Sequence, residues 1–586
     1  MKPNNVSKPD NRLPSEKSPL IGVAFLGLAI LALLGVISLI SQPFAYTESL
    51  RRPILEFVGL LITATLLSIL AIRFGLKVKQ NQKGLLYLII VLAISFRAVM
   101  CVTPPILEID FYRYLWDGKA LAEGVSPYAY SPQQILDADF AAVGASPAQS
   151  DLQKLASLSI ASDSNHTILS RVHFPNHTTI YPPVSQFVFF LVAKATPADA
   201  SIAFNTLAMR IALVGFDLGT VIVLLLILQA IGRHVSWLIA YAWNPLVLKE
   251  IANSIHLDSI AIFFMMLAIL FVIRARLFPR AQKSAPLSGL SLGLAVGAKL
   301  FPVVVAPAIA VALFKNGKRK SVLFSIAFLA TTAVVLYPVF SRYDAPAKEL
   351  QTTGPLRPEQ HSLELLEQEL GMVPEDTTSV AVTATSKDGL TSFLSSWRMN
   401  DVIFSTLYQN FKPSSDSTEE YWYVVVPNQY RLDVVNSSIA KFSDNPAFLL
   451  TRIITLAAFA IVYLCYLPRF YSGNEQQILV GLLSILFAFL MVQPTVNPWY
   501  WVWAIPLTCF ASRWGWIGIS AVLSVYYTRF FFESSGWGFV YSQYDYSGVA
   551  IFDHFVAWGE AIAIILLLIF AGRLDRENSD QPDASA

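Results

Sequence analysis

The chain has 586 residues, of which 55% are hydrophobic and only 14% are charged, with a formal net charge of +2. An average soluble domain carries about 25% charged residues, so this composition excludes a water-soluble globular protein of this length. No basic stretch interleaved with aromatics occurs between the apolar blocks, so the chain offers nucleic acid no footprint.

The apolar residues come in blocks of about 20, long enough to cross a hydrocarbon core of about 30 Å. Such blocks lie at residues 21–40, 54–72, 85–102, 321–337 and 550–570. They predict an all-α polytopic membrane protein, a bundle of about 12–14 hydrophobic segments whose outer-face loops carry short helices. A polar tail, 1–19, holds Lys2, Lys8, Arg12 and Lys17. The block after it lacks a small-residue cleavage site, which predicts a retained first span and not a cleaved signal peptide. Cys101, Cys465 and Cys509 lie in or beside apolar segments, so no disulfide framework or thiolate zinc site is expected.

Lys and Arg cluster in the tail and at 73–83, 274–283 and 315–320. Loops of that kind stay cytoplasmic, which places 103–180 and 341–445 outside and both termini inside. The chain then divides into the tail 1–19, a membrane domain 20–340 whose first outer loop is 103–180, an outer segment 341–445, C-terminal membrane helices 446–572, and a cytoplasmic end 573–586. The stretch 288–314 lies between two basic loops and is interrupted by Lys299 and Pro302. A re-entrant pair of half-helices satisfies that parity, irregular backbone being tolerated at membrane depth where protein or water surrounds it. Residues 181–195 are short for a crossing and read as interfacial or re-entrant. No internal repeat is visible, which argues against repeat-built transporters.

Glu108 and Asp110 follow the third span, at an outer membrane exit. There, carboxylates can meet a substrate whose lipid tail stays in the bilayer and whose head does not. One could act as general base on an acceptor hydroxyl, the other orient it or hold a divalent cation. Arg113 and Lys119 supply positive charge for a phosphate. Against this stands a plainer reading, a helix start with solvated charges beside an aromatic belt. Lys299 lies mid-way along an apolar stretch, where charge is costly and usually faces a cavity. At an outward tip its ammonium could pair with a lipid-borne phosphate; the alternative is a lysine that snorkels to the interface. His256 and Asp258 fall on the outer side, His256 as a metal or phosphate contact or as a satisfied interfacial histidine. Arg210 and Asp217, seven apart, share one helical face as a structural polar set. Arg529 with Glu533, and Asp553, His554 and Glu560, suit the lining of a substrate cavity or an interfacial network. The run Pro498-Trp-Tyr-Trp-Val-Trp503 is belt and packing, with one ring able to stack on a sugar.

The stretch Asp110-Phe-Tyr-Arg113-Tyr-x-Trp-Asp117-Gly, followed by Gly124-x-Ser-Pro-Tyr128, resembles the first outer loop of GT-C superfamily glycosyltransferases. It is most similar to the polyprenol-phosphate-mannose-dependent mannosyltransferases of glycosyltransferase family 87, and more distantly to the lumenal glycosylphosphatidylinositol mannosyltransferase I. Matching motifs follow in order: Ile180-Tyr-Pro-Pro183, Trp243-Asn-Pro-Leu-Val-Leu-Lys-Glu250, Asn253-x-x-His256-x-Asp258, Gly293-Leu-Ala-x-x-Ala-Lys299-Leu-Phe-Pro302, Trp397-Arg-Met-Asn400-Asp401 and Gln493-Pro-Thr-Val-Asn497-Pro-Trp499-Tyr500. The resemblance implies an inverting displacement at a sugar anomeric carbon, with polyprenyl phosphate as leaving group. Its catalytic carboxylate maps onto Asp110, with Glu108 second. Arg113, Lys299 and Arg529 are then candidates for the donor phosphate. Tyr181, His256, Asp258, Asn497, Trp499 and Tyr500 are candidates for substrate contacts. The acidic motif reads Glu-x-Asp where metal-using relatives have Asp-x-Asp, which leaves a divalent cation (Mg or Mn) optional. The implied partners are a polyprenyl-phosphate hexose, with mannose the sugar the resemblance favours, a glycolipid or envelope glycan acceptor, and membrane lipid. The implied place is a bacterial inner membrane with the site facing the periplasm. A lipid-linked-sugar flippase or secondary transporter, and an O-antigen-like ligase or polymerase using pyrophosphate-linked donors, are the competing readings.

Overall fold

The computed structural model describes residues 17–45, 52–138, 147–278, 280–340, 389–414, 421–511, 513–534 and 552–579. The tail before residue 17, the segment 341–388 and the final residues 580–586 fall outside them. Among the described residues the chain is helical, and its one isolated β-bridge pairs Met399 with Thr495. Seven helices are long and apolar enough to cross a membrane. They are α1 (Lys17–Ile40), α2 (Ile54–Gly75), α3 (Gln82–Val102), α4 (Ile202–Ala230), α5 (Asp258–Leu277), α6 (Lys318–Phe340) and α7 (Pro446–Ser472). Burial orders them: 67% of the α5 span is buried, against 11% of α6 and 17% of α7. The central helix therefore packs on protein all round, while α6 and α7 present most of their apolar surface outward.

Hydrogen bonds define the two ends of the bundle. At one end Arg276, in the last turn of α5, donates to Ala312 O and Asn316 Oδ1 and to Gly473 O. Lys320 reaches Ala275 O, Lys315 reaches Ser472 O, Arg233 reaches Ala511 O, and His234 bonds Val78 O. The basic loops at 73–83, 274–283 and 315–320 thus gather at one end. The opposite end gathers the exit of α3, the start of α5 and Lys299, along with the segments around Met399 and Thr495.

The stretch 284–314 is broken where the sequence places a lysine and a proline. The helix Ser284–Ala298 stops as Lys299 turns extended (φ −157°, ψ 145°), and a 3-10 turn, Phe301–Val305, leads into Ala306–Phe314. Ser288 Oγ bonds Ala268 O of α5, and Arg276 holds Ala312, so both half-helices start and finish at the basic end with Lys299 at the far tip. Gly289, Gly293 and Gly297 let the first half-helix lie against α6: a Cβ at Gly289 would sit 2.3 Å from Phe324 O. Small residues at this spacing are how apolar helices approach closely without water to drive them together.

Residues 235–257 also run between the two ends as a broken segment. Pro245 has no N–H to give, and the Asn244 side chain before it accepts from Leu246 N and Val247 N. A π-helix, Leu248–Asn253, follows; such widened turns concentrate at functional sites. Inside the bundle, Asp217 pairs with Arg97 and Tyr241, and Arg210 donates to Cys101 O and Asn253 O. The two residues on that face of α4 therefore brace α3. The three cysteines are free. The helix Pro183–Ala195 packs on Phe111–Ala122, and its Ser185 Oγ bonds Ala298 O at the tip of the broken pair. The described part of the segment 341–445 forms short helices at Gly389–Ser396, Val402–Gln409 and Asn428–Val435.

Candidate active site

Helix α3 ends against Pro104 and Pro105, which cannot continue its hydrogen bonding. Asn253, on the π-turn, takes the freed backbone: its Oδ1 accepts from Ile106 N at 2.9 Å and its Nδ2 donates to Pro104 O at 2.9 Å. Leu107 then adopts φ 53°, and the chain turns so that Glu108 Oε1 accepts from the backbone N–H groups of Ile109 and Asp110. Among the described residues, four non-glycine residues have positive φ, namely Leu107, Phe174, Ile255 and Asn400. Each is next in sequence to Glu108, His173, His256 or Asp401. Left-handed backbone costs a non-glycine residue about 1–3 kcal/mol and persists where the surrounding structure compels it, typically at functional sites.

Glu108 faces His256, with Oε2 3.1 Å from Nε2. On the other side of the ring, Nδ1 lies 2.9 Å from Oε2 of Glu250. Glu250 is in turn paired with Lys249 at 3.1 Å and accepts from the Tyr527 hydroxyl. Trp499 stacks on the imidazole with centroids 5.0 Å apart. Asp110 stands beside this chain: Tyr181 donates to its Oδ2 at 3.2 Å, His173 Nδ1 is 3.9 Å from its Oδ1, and a third of its side chain (33%) is exposed. Two neighbouring carboxyls thus differ in character. Burial pushes Asp110 up, and the Glu108 charge adds to this, taking it to about 6. Burial acts on Glu108 in the same direction, but His256 and Lys249 outweigh it and hold Glu108 at about 2.

Lys299 donates to Asp258 Oδ1 at 2.7 Å and lies over the rings of Tyr500 and Trp503 at 5.0 and 5.4 Å. The Trp503 indole also donates to Asp258, and Phe301 stacks on Trp503. Asn497 is buried with its Oδ1 unpartnered. The structure therefore gathers Glu108, Asp110, Tyr181, His256, Asp258, Lys299, Trp499 and Tyr500 at one end of the bundle. Arg113 departs from the expected phosphate contact. Its buried guanidinium donates to the carbonyls of His173, Phe174 and His177, bracing the loop that brings His173 to Asp110. Arg529 keeps a different company, beside Asp401 and Asp553 and over the ring of Phe552. Lys119 is buried near the end of Phe111–Ala122. Sequence reasoning assigned no role to Lys249, Glu250, His173 or Tyr527. Two adjacent charges within the apolar run 235–257 were the available signal for the first pair; His173 and Tyr527 carried none.

Ligand atoms of Glu108, Asp110 and His256 lie within 4.8 Å of one another, a spacing that could enclose a divalent ion. The donor set does not suit Mg, which favours oxygen ligands, and a histidine must offer a bare nitrogen to any metal. Here Nε2 lies 3.1 Å from Glu108 and Nδ1 2.9 Å from Glu250, so the ring is set between two carboxylates that favour its protonated form.

Carboxylates, an ammonium and aromatic faces thus meet at one end of a polytopic helical membrane bundle. Residues 179–352 match the model of glycosyltransferase family 87, and residues 433–564 match the MptB C-terminal domain. No curated protein and no solved structure matches the chain significantly. MptB is a polyprenol-phosphate-mannose-dependent mannosyltransferase. Both matches fit a membrane glycosyltransferase of the GT-C type, and over 179–352 the chain is similar to family 87.

Proposed function

We propose that the enzyme is an inverting mannosyltransferase that takes its sugar from a polyprenyl-phosphate donor and adds it to a lipid-linked or envelope glycan hydroxyl on the outer side of a bacterial inner membrane. One observation carries the reading: Asp110, a carboxyl of raised proton affinity, shares the end of the bundle away from the basic loops with the Lys299 ammonium. Inverting transfer needs both. A base takes the acceptor proton as its oxygen attacks the anomeric carbon, and a cation meets the charge growing on the departing phosphate. The aromatic floor of Trp499, Tyr500 and Trp503 is suited to the apolar face of a pyranose. The match to the MptB C-terminal domain supports mannose as the sugar and polyprenyl phosphate as the carrier. Purified enzyme is expected to transfer radiolabelled sugar from polyprenyl-phosphate mannose and not from pyrophosphate-linked oligosaccharides. The reverse preference would overturn the donor class.

Sidedness has its own test. Cysteines placed in 315–320 should be labelled only from the cytoplasmic face, and cysteines in 350–390 only from outside. Labelling on the opposite faces would put the site in the cytoplasm. Because both nitrogens of His256 are engaged by carboxylates, transfer is also expected to survive EDTA with less than about a twofold loss, where displacing a needed second-sphere or metal group typically costs about 10–100-fold. Abolition by EDTA and recovery with Mg or Mn would restore the metal reading.

A further inference from the structure

Behind the base lies a buried row of charges that the reaction itself does not touch. Lys249 and Glu250 are both fully buried (0% exposed), in the first turn of the π-helix Leu248–Asn253. The widened turn brings Asn253 to the exit of α3 while Glu250 faces the His256 ring. The row runs from Lys249 to Glu250 at 3.1 Å, from Glu250 to His256 at 2.9 Å and from His256 to Glu108 at 3.1 Å. Tyr527 closes it from the other side by donating to Glu250, with the Lys249 ammonium 4.3 Å over its ring.

We propose that Glu250, with Lys249 and Tyr527 behind it, is a positioning residue that keeps His256 an imidazolium and so keeps Glu108 an oriented anion, leaving proton removal to Asp110. The proposal rests on Asp110 being the base. Its physical ground is charge balance. Two carboxylates and two cations sum to zero, which makes burial of all four tolerable; removing one leaves a buried charge unmatched. A carboxylate on each side favours an imidazole that carries both protons, and the Trp499 face stacked on it favours a cation further. Glu108, with its second oxygen held by two backbone N–H groups, cannot turn toward an acceptor without giving up that pair.

The consequence is readable as pH dependence. The groups facing Asp110 are Glu108 on its own loop, Arg113 and Tyr114 from Phe111–Ala122, His173 and Tyr181 from the loop beyond, His256 before α5, Lys299 at the helix break, and Tyr500. Burial holds His173 down at about 4 whatever stands at 250. Of the cations near Asp110, His256 alone touches the Glu250 carboxylate, 2.9 Å from Nδ1, while the Glu250 carbonyl lies 3.2 Å from the same nitrogen. Glu250→Gln keeps the carbonyl and removes the charge, which lowers the proton affinity of the ring, and as the ring deprotonates, Asp110 loses a cation within 4.8 Å. Its anion becomes less favourable, so the acid limb of kcat/KM moves to higher pH, by about one unit or more.

The test is the pH profile of transfer by the full-length enzyme in detergent, using polyprenyl-phosphate mannose and a glycolipid acceptor. Glu250→Gln should shift the limb upward, Glu250→Asp should return it to the wild-type position, and Tyr527→Phe, which changes no charge, should leave it there. A Glu250→Gln limb that coincides with wild type, or a Tyr527→Phe limb displaced as far as that of Glu250→Gln, would overturn the proposal. Should Glu250→Gln fail to fold, His256→Gln removes the same cation directly: an upward limb supports the proposal and an unmoved one overturns it. Asp110→Asn separates the two levels. Normal turnover in that variant removes the base assignment itself, whereas a dead Asp110→Asn beside an unmoved Glu250→Gln limb removes the positioning role alone.

Discussion

Asp110→Asn is expected to lower sugar transfer by about 10²–10⁴-fold, the usual worth of general-base catalysis, while donor affinity stays near wild type. Asparagine keeps the shape, and its carbonyl oxygen can still accept from Tyr181, which now donates to Asp110 at 3.2 Å. What disappears is basicity. The wild-type carboxyl is pushed up to about 6 by burial and by Glu108, so the enzyme should lose activity as pH falls through that value and the base becomes protonated. Above it the carboxylate is free to take a proton. Glu108→Gln should also damage the enzyme by a different route, since it strips His256 of one of its two carboxylates. The two variants differ in what survives: Asp110→Asn should bind donor and not react, and its pH profile should lose the limb near 6. An Asp110→Asn enzyme with normal turnover would sink the assignment.

Lys299→Ala should reduce donor use by about 10²–10³-fold, the scale seen when one electrostatic stabiliser of developing charge is removed. Lys299→Arg should be milder, because it keeps the charge though not the point-like geometry of an ammonium. The ammonium sits where the half-helix Ser284–Ala298 has ended, and a fifth of its side chain (20%) is exposed while its partner Asp258 is buried (1%). Such a cation has one side committed to Asp258 and another turned toward the end of the bundle where a lipid phosphate would lie. Truncation leaves the buried Asp258 without its lysine, and breaking a buried pair costs about 3–5 kcal/mol of stability. A Lys299→Ala/Asp258→Asn double variant separates the two effects, since it should regain stability without regaining activity. Near-wild-type donor KM and kcat in both Lys299→Ala and Lys299→Arg would make Lys299 a structural residue.

The pairing of Lys299 with Asp258 shows how far sequence reasoning reached at the site. Each residue stood out because charge inside an apolar run is costly, and each lies in a motif of the same family resemblance. Nothing in the spacing of 41 residues joined them. Arg113 shows the opposite outcome. Three positions after Asp110, it was legible as a phosphate ligand, yet folding turned its guanidinium to the carbonyls of His173, Phe174 and His177. An arginine has enough donors to satisfy a loop or a ligand, and its sequence position does not say which. Arg529 likewise found its place beside Asp401 and Asp553.

By itself the sequence determined the membrane class, the long spans, the basic end, and the break at Lys299, because these follow from local quantities. Hydrocarbon thickness sets the length of an apolar block, and a proline or a buried charge interrupts a helix wherever it lies. The family resemblance likewise rested on motifs legible in order along the chain. Only the tertiary structure decided which of two adjacent carboxyls is the free one. That choice depends on His256, 148 residues beyond Glu108, and on Glu250 and Tyr527 behind it, a further 277 residues apart. Electrostatic energy between buried charges varies with distance and surroundings in space, and neither is written in the spacing of residues along a chain.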